Sequence, residues 1–204
     1  QITGRDLFGK VRENMDALLD AGIPFKLNAV AMRGFNDDEL PAFIDYAMHP
    51  PIDVRFIEFM PMGEGTRWSD SCFWSAPDIL DAVKGLVAVA PVEQEQRNGG
   101  PARLYTLSGP DGPGLGRLGL ISPLSSHFCT SCNRLRITSD GALRTCLFDD
   151  REYRLRNALR HPKLGIEAVR RIVTLATRDK PIGARLLERR HNAVAQRRMT
   201  AIGG

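Results

Sequence analysis

The sequence has no run of eighteen apolar residues, so no membrane-spanning helix is expected. Its first residues show no signal-peptide pattern. Four cysteines in 204 residues are too few for a disulfide scaffold, and their tight grouping favours metal binding in a reducing, cytoplasmic compartment. There is no internal repeat. Aromatic residues are nearly absent from residues 151–204, and that stretch holds no Cys-His finger. Base stacking on single-stranded nucleic acid is therefore poorly supported, and neither nucleic acid nor a membrane is an expected partner.

What charge there is lies unevenly. Residues 151–204 carry 14 Lys/Arg against 4 Asp/Glu, whereas residues 1–150 carry 14 against 20. A basic final quarter suits an anionic nucleotide, nucleic acid or the acidic first part of the same chain, and charge alone does not choose among them.

Periodicity organises the first half. Phe8, Val11, Met15, Leu18 and Leu19 recur at helical spacing, and Gly22 and Pro24 stop the pattern. Phe25–Ala31 reads as a strand with Lys26 and Asn28 on one side. A second helix buries Leu40, Phe43, Ile44 and Ala47, with Asn36 and Glu39 spaced as a capping box. Val54–Met60 is the next strand and carries an Arg55/Glu58 pair inside an apolar run, a pattern that favours lining a site. A third helix starts at Ser75 and buries Ile79, Leu80 and Val83. Alternating helices and strands argue for α/β layering with parallel strands. Two strands do not make a stable sheet, so earlier units are expected to precede this order.

From about residue 86 the texture changes. Leu86–Val92, Arg103–Leu107, Leu118–Ile121 and Leu135–Thr138 read as short strands, and Ser108–Gly116, SGPDGPGLG, reads as loop. Asp140-Gly141 predicts a two-residue hairpin turn that folds Leu143–Thr145 back on Leu135–Thr138. Helices are expected over 152–160 and 165–177.

That hairpin gives meaning to the cysteines. Cys129 and Cys132 form a C-x2-C pair, and the hairpin returns Cys146 toward them. Three thiolates are one fewer than a closed tetrahedral site needs. Zinc with a fourth ligand from His127, Asp140, Asp149 or Cys72 is one solution, although Cys72 reads more simply as a packed thiol. A [4Fe–4S] cluster on three cysteines, with one iron open, is the other. Arg134 and Arg136 share one face of the predicted strand, where paired guanidiniums suit phosphate or carboxylate. Arg144 is a further candidate. A ferredoxin-like carrier would need a fourth, regularly spaced cysteine, and a zinc-stabilised nucleic-acid module fits poorly with the α/β first half.

The segment FCTSCNRLRITSDGALRTCLF, with its arginines beside the second cysteine, resembles the C-terminal cluster motif of the GTP 3',8-cyclase family. These are radical S-adenosylmethionine lyases of molybdenum cofactor biosynthesis. FKLNAVAMRGFNDDEL, VRFIEFMPMG and the terminal RRMTAIGG are similar to the same family, so the likeness runs from residue 1 to 204.

The resemblance implies the C-terminal portion of an incomplete (β/α)6 barrel over residues 1–85. Residues 86–204 would form an α+β extension that carries a second cluster and GTP. Cys129, Cys132 and Cys146 would hold that [4Fe–4S] cluster, whose open iron takes the guanine base. Arg134 and Arg136 match the GTP site, and Lys26 matches a lysine that meets phosphate. Arg55 and Met60 match positions near S-adenosylmethionine. Gly203 and Gly204 match a catalytic tail that enters the active site. A radical formed from S-adenosylmethionine would abstract the 3' hydrogen of GTP and give 3',8-cyclo-7,8-dihydroguanosine 5'-triphosphate. A cyclic pyranopterin monophosphate synthase would then take the product, and the family tends toward homodimers. One departure stands out: no C-x3-C-x2-C motif for the first cluster occurs in these 204 residues. The chain is therefore expected to be inactive by itself, with that cluster and S-adenosylmethionine held elsewhere.

Overall fold

The computed structural model describes residues 5–63, 66–93, 100–127, 129–189 and 201. Contacts group the chain into two units that interleave in sequence, Gln1–Glu58 with Trp74–Ile121, and Phe59–Phe73 with Ser122–Gly204. The sequence division at 85/86 runs through the first of these.

In the first unit the order is α1 (Phe8–Asp20), β1 (Lys26–Ala31), α2 (Leu40–Met48), β2 (Asp53–Glu58), α3 (Ala76–Lys84), β3 (Ala88–Pro91), β4 (Arg103–Gly109) and β5 (Gly112–Ile121). The five strands form one open sheet in the order β1-β2-β5-β4-β3. β1, β2 and β5 are parallel, and β4 and β3 add antiparallel at one side. Parallel strands need cover on their faces. One face supplies Val54, Phe56, Leu118 and Leu120, which pack with Leu40, Ile44, Ile79 and Val83 of α2 and α3 in the main core. Phe43 meets Phe56 edge-on, with ring centroids 5.4 Å apart. α3 is fixed at its start, because Ser75 accepts a hydrogen bond from the Asp78 amide and Glu58 accepts one from the Ala76 amide. α1 is less well covered, with Phe8 80% exposed, although Leu19 reaches the core.

Three local readings change. Ser108–Gly116 is not loop: only Pro110 and Asp111 turn, and Gly109 pairs with Gly112 across the hairpin. Of the glycines that suggested a loop, Gly114 and Gly116 are spacers, whereas Gly112 takes φ +118° beside the turn. A Cβ at Gly116 would lie 2.4 Å from the Ile52 carbonyl oxygen and 2.5 Å from that of Ala47. Only glycine lets β5 pass this close to the end of α2. Asn36 does not cap α2. Its side chain accepts from the Met32 amide and donates to the Val30 carbonyl, so it closes the turn after β1. Nor do Arg55 and Glu58 pair with each other. They lie three apart on one strand and so face opposite sides.

In the second unit, a 3-10 turn (Cys129–Ser131) precedes β6 (Arg136–Ile137), β7 (Leu143–Arg144), α4 (Leu155–Arg160), α5 (Gly165–Arg178) and α6 (Gly183–Arg189). The expected hairpin forms, with Arg136 opposite Arg144 and Ile137 opposite Leu143. Its turn is longer than two residues. The Thr138 amide donates to the Ala142 carbonyl, the Gly141 amide donates to the Thr138 carbonyl, and Gly141 has φ +80°. The left-handed glycine thus closes a three-residue loop. Met62, Phe148 and Leu187 make a small apolar cluster under the Cys146 loop.

Candidate metal centre

The hairpin and the 3-10 turn place the cysteines. Cys129, Cys132 and Cys146 line one cavity together with Arg134, Arg136, Pro123, Thr145, Leu147 and Phe148. Five of the ten residues expected at a site therefore meet at one place. All three cysteines are free and half-buried. None of His127, Asp140, Asp149 and Cys72 lines this cavity. Among the described residues no three His, Cys, Asp or Glu side chains are grouped as ligands of one metal ion.

Electrostatics divide the cysteines. Burial alone would raise the Cys132 thiol, but the Arg134 amide and the Lys180 ammonium hydrogen-bond its sulfur and bring it below the ordinary thiol value. Burial holds the Cys146 thiol above that value, and the Phe148 amide offsets this only in part. Arg136 is pushed down by burial and by the guanidiniums of Arg134 and Arg144. Crowded cations of this kind favour an anion beside them.

Arg144 does not face the cavity. It is fully buried. Its Nη2 donates to the carbonyls of Leu147 and Asp149, and it forms ion pairs with Asp150 at 3.5 Å and Glu152 at 3.6 Å. It therefore shapes the chain just after Cys146. Met60 belongs to the same unit and packs against the Met62–Phe148–Leu187 cluster.

Lys26 and Arg55 belong to the first unit and share a sheet face there, because Lys26 pairs with Asp53 and Asn28 with Arg55. Lys26 is exposed. Arg55 is buried and donates to Asp53 at 2.7 Å, while Arg117 donates to the other Asp53 oxygen at 2.8 Å. Burial would raise the Asp53 carboxyl, yet the two guanidiniums lower it below the usual range. Gly119 makes room for this, since a Cβ there would lie 2.6 Å from Arg55 Cγ. Gly203 and Gly204 lie outside the described residues.

Sequence reasoning missed Asp53 and Lys180. The first was hidden at the edge of an apolar run: Arg55 lies two residues on, but Arg117 meets it from 64 residues away. The second was one cation among many in a basic stretch. Only its fold position sets it apart.

Comparison with known proteins now bears on this arrangement. Residues 52–186 match the family model described as Molybdenum Cofactor Synthesis C. The chain belongs to this family. It is also similar to curated GTP 3',8-cyclases: 43% identical to that of Alkaliphilus oremlandii over 100% of this chain and 60% of the relative. Identity is 41% to that of Syntrophomonas wolfei, over 88% of this chain and 54% of the relative. The Listeria welshimeri enzyme is 32% identical over 100% of this chain and 60% of its own length. The chain thus spans little more than half the length of these relatives. The family named from the cysteine segment is the one the comparisons find. An α/β sheet with flanking helices agrees with part of a barrel-like radical S-adenosylmethionine fold, and among the described residues the sheet is open. No described helix is long and apolar enough to cross a membrane.

Proposed function

We propose that this chain is the GTP-binding part of a cytoplasmic GTP 3',8-cyclase, a lyase of molybdenum cofactor biosynthesis. The whole protein would convert GTP into 3',8-cyclo-7,8-dihydroguanosine 5'-triphosphate and supply a cyclic pyranopterin monophosphate synthase. The observation that carries this reading is the joint lining of one cavity by three thiols and two guanidiniums.

The residues fit a [4Fe–4S] cluster. Each of its thiolates binds a different iron, so the three do not crowd one point as they would around zinc. A bound cluster with three cysteine ligands would supply one open iron as a Lewis acid for a nitrogen or oxygen of the guanine. The rest falls to the chain. Cys129, Cys132 and Cys146 hold the cluster. Arg134 and Arg136 draw the anionic nucleotide to its side and orient it by charge-assisted hydrogen bonds. Lys26 would meet phosphate. Arg55, locked by Asp53, would present a fixed face toward S-adenosylmethionine, and Met60 is a separate candidate for that cofactor. Gly203 and Gly204 would act as the catalytic tail, because glycine enters a crowded site without a side chain. Cleavage of S-adenosylmethionine requires a first cluster, and no C-x3-C-x2-C motif is present here. By itself this chain would therefore bind GTP without turning it over.

The test is GTP binding to the anaerobically reconstituted chain by calorimetry. Arg134→Ala and Arg136→Ala should each weaken binding about tenfold or more, since a charged hydrogen bond is worth about 1.5–3 kcal/mol. Unchanged affinity in both would overturn the assignment.

A further inference from the structure

Lys180 stands in the short connection between α5 and α6, 48 residues along the chain from Cys132. Its ammonium has three donors, and three acceptors converge on it. These are the Cys132 carbonyl at 2.8 Å, the Arg134 carbonyl at 2.8 Å and the Cys132 sulfur at 3.3 Å. Two backbone bonds on either side of Asn133 fix the chain between a ligand cysteine and the first cavity arginine. The third bond aims a positive charge at the sulfur itself. A solvent-facing lysine would not give up its rotamer freedom for this unless the bonds outweighed that cost.

Three residues further on, the same connection meets another cysteine. Gly183 opens α6, and a Cβ there would lie 2.6 Å from Cys146 Sγ and 3.0 Å from the Phe148 ring. The Cys146 sulfur could escape such a Cβ only by turning about its Cα–Cβ bond, away from this position, and Phe148, 5% exposed within the small apolar cluster, has little room to give. Glycine at position 183 is thus the condition for the Cys146 sulfur to sit where it does. One four-residue segment touches two of the three thiols, by a hydrogen bond to one and by close approach to the other.

We propose that Lys180-Pro181-Ile182-Gly183 is a positioning clamp for the cluster, in which Lys180 orients the Cys132 sulfur and raises the cluster's reduction potential, and Gly183 seats Cys146. This rests on the cluster reading given above. Hydrogen bonds to a ligand sulfur stabilise the more electron-rich, reduced cluster and so raise its potential. A tether without that bond would affect loading but leave the potential of the loaded fraction alone.

The experiment compares the 204-residue chain with Lys180→Met, Lys180→Arg and Gly183→Ala. Hydrogen exchange on the metal-free proteins comes first, with the amides of β2 and β5 as the control for folding. Lys180→Met should speed exchange at Cys132–Arg134 about tenfold or more and leave β2 and β5 unchanged. Gly183→Ala should speed exchange around Cys146–Phe148 instead. After reconstitution with iron(II) and sulfide, Lys180→Met should load less iron, and what it loads should titrate at a more negative midpoint than wild type. Lys180→Arg, which keeps the charge, should fall between the two. Exchange and midpoint equal to wild type in Lys180→Met would overturn the clamp. Faster exchange with an unchanged midpoint would overturn the role of Lys180 toward the sulfur. A wild-type chain that takes up no iron would sink the cluster reading, and the exchange data on metal-free protein would still decide the clamp.

Discussion

Replacing Arg144 by Leu should cost the second unit about 3–5 kcal/mol, the usual loss when one partner of a buried charged network is removed. The structure supports the lower half of that range. Arg144 gives up two hydrogen bonds from Nη2, to the carbonyls of Leu147 and Asp149. Hydrogen bonds from a charged donor are worth about 1.5–3 kcal/mol each. The contact to Leu147 is long at 3.4 Å and contributes little. The ion pairs at 3.5 and 3.6 Å lie beyond hydrogen-bonding range, and Nε and Nη1 make no hydrogen bond. Those two donors gain no hydrogen bond in return for burial, so leucine recovers part of the loss. Leucine also leaves the Asp149 carbonyl without this donor, at a cost of about 1–3 kcal/mol, and a net of about 3 kcal/mol follows. Urea unfolding of the metal-free chain, followed by a probe in the second unit, measures it. Because Arg144 shapes the chain just after Cys146, iron uptake should fall with stability. A loss under about 1 kcal/mol, or full iron uptake by the variant, would refute the claim that Arg144 is a structural post under Cys146.

Further outcomes follow from the two charge networks. Asp53 has a lowered carboxyl pKa in the folded state. Its contribution to stability is therefore complete above the unfolded value of about 3.9 and is lost as pH falls through the lower folded value. Asp53→Asn should flatten the acid limb of the stability curve below about pH 4, measured by thermal melts across pH, and an unchanged slope would contradict the Arg55–Asp53–Arg117 network. In the reduced, metal-free chain, Cys132 should alkylate faster than Cys146 at neutral pH, because the first thiol is lowered and the second raised. Peptide mapping after brief iodoacetamide treatment reads the order directly, and the reverse order would contradict the electrostatic account. Gly116→Ala should destabilise the first unit by more than about 2 kcal/mol, since a Cβ would strike the backbone carbonyls of Ile52 and Ala47. A neutral result in denaturant unfolding would show that β5 has room to shift.

Much of this fold could be seen in the residues themselves. The first three helices and the strands Lys26–Ala31 and Asp53–Glu58 follow from apolar spacing; α2, α3 and both strands pack on the same core, while α1 reaches it through Leu19 and leaves Phe8 exposed. The hairpin that brings Cys146 back followed from Asp140-Gly141, although the turn holds one residue more. Ser108–Gly116 misled, because glycine reports only that a side chain is absent. It does not say whether the backbone bends there or passes close to α2. The site divides the same way. Three cysteines and two arginines within eighteen residues of sequence could be grouped by local spacing. Lys180 and Gly183 could not, since they reach the thiols only after α4 and α5 have carried the chain back. Asp53 was hidden for the same reason, since Arg117 meets it from a strand 64 residues away.

The most direct measurement is anaerobic reconstitution of the 204-residue chain, with iron, labile sulfide and zinc determined on the same sample, and electron paramagnetic resonance recorded before and after GTP. The account predicts about four irons and four sulfides per chain, and a change in the cluster signal when GTP binds the open iron. One zinc with no labile sulfide, or a cluster whose signal ignores GTP, would contradict it.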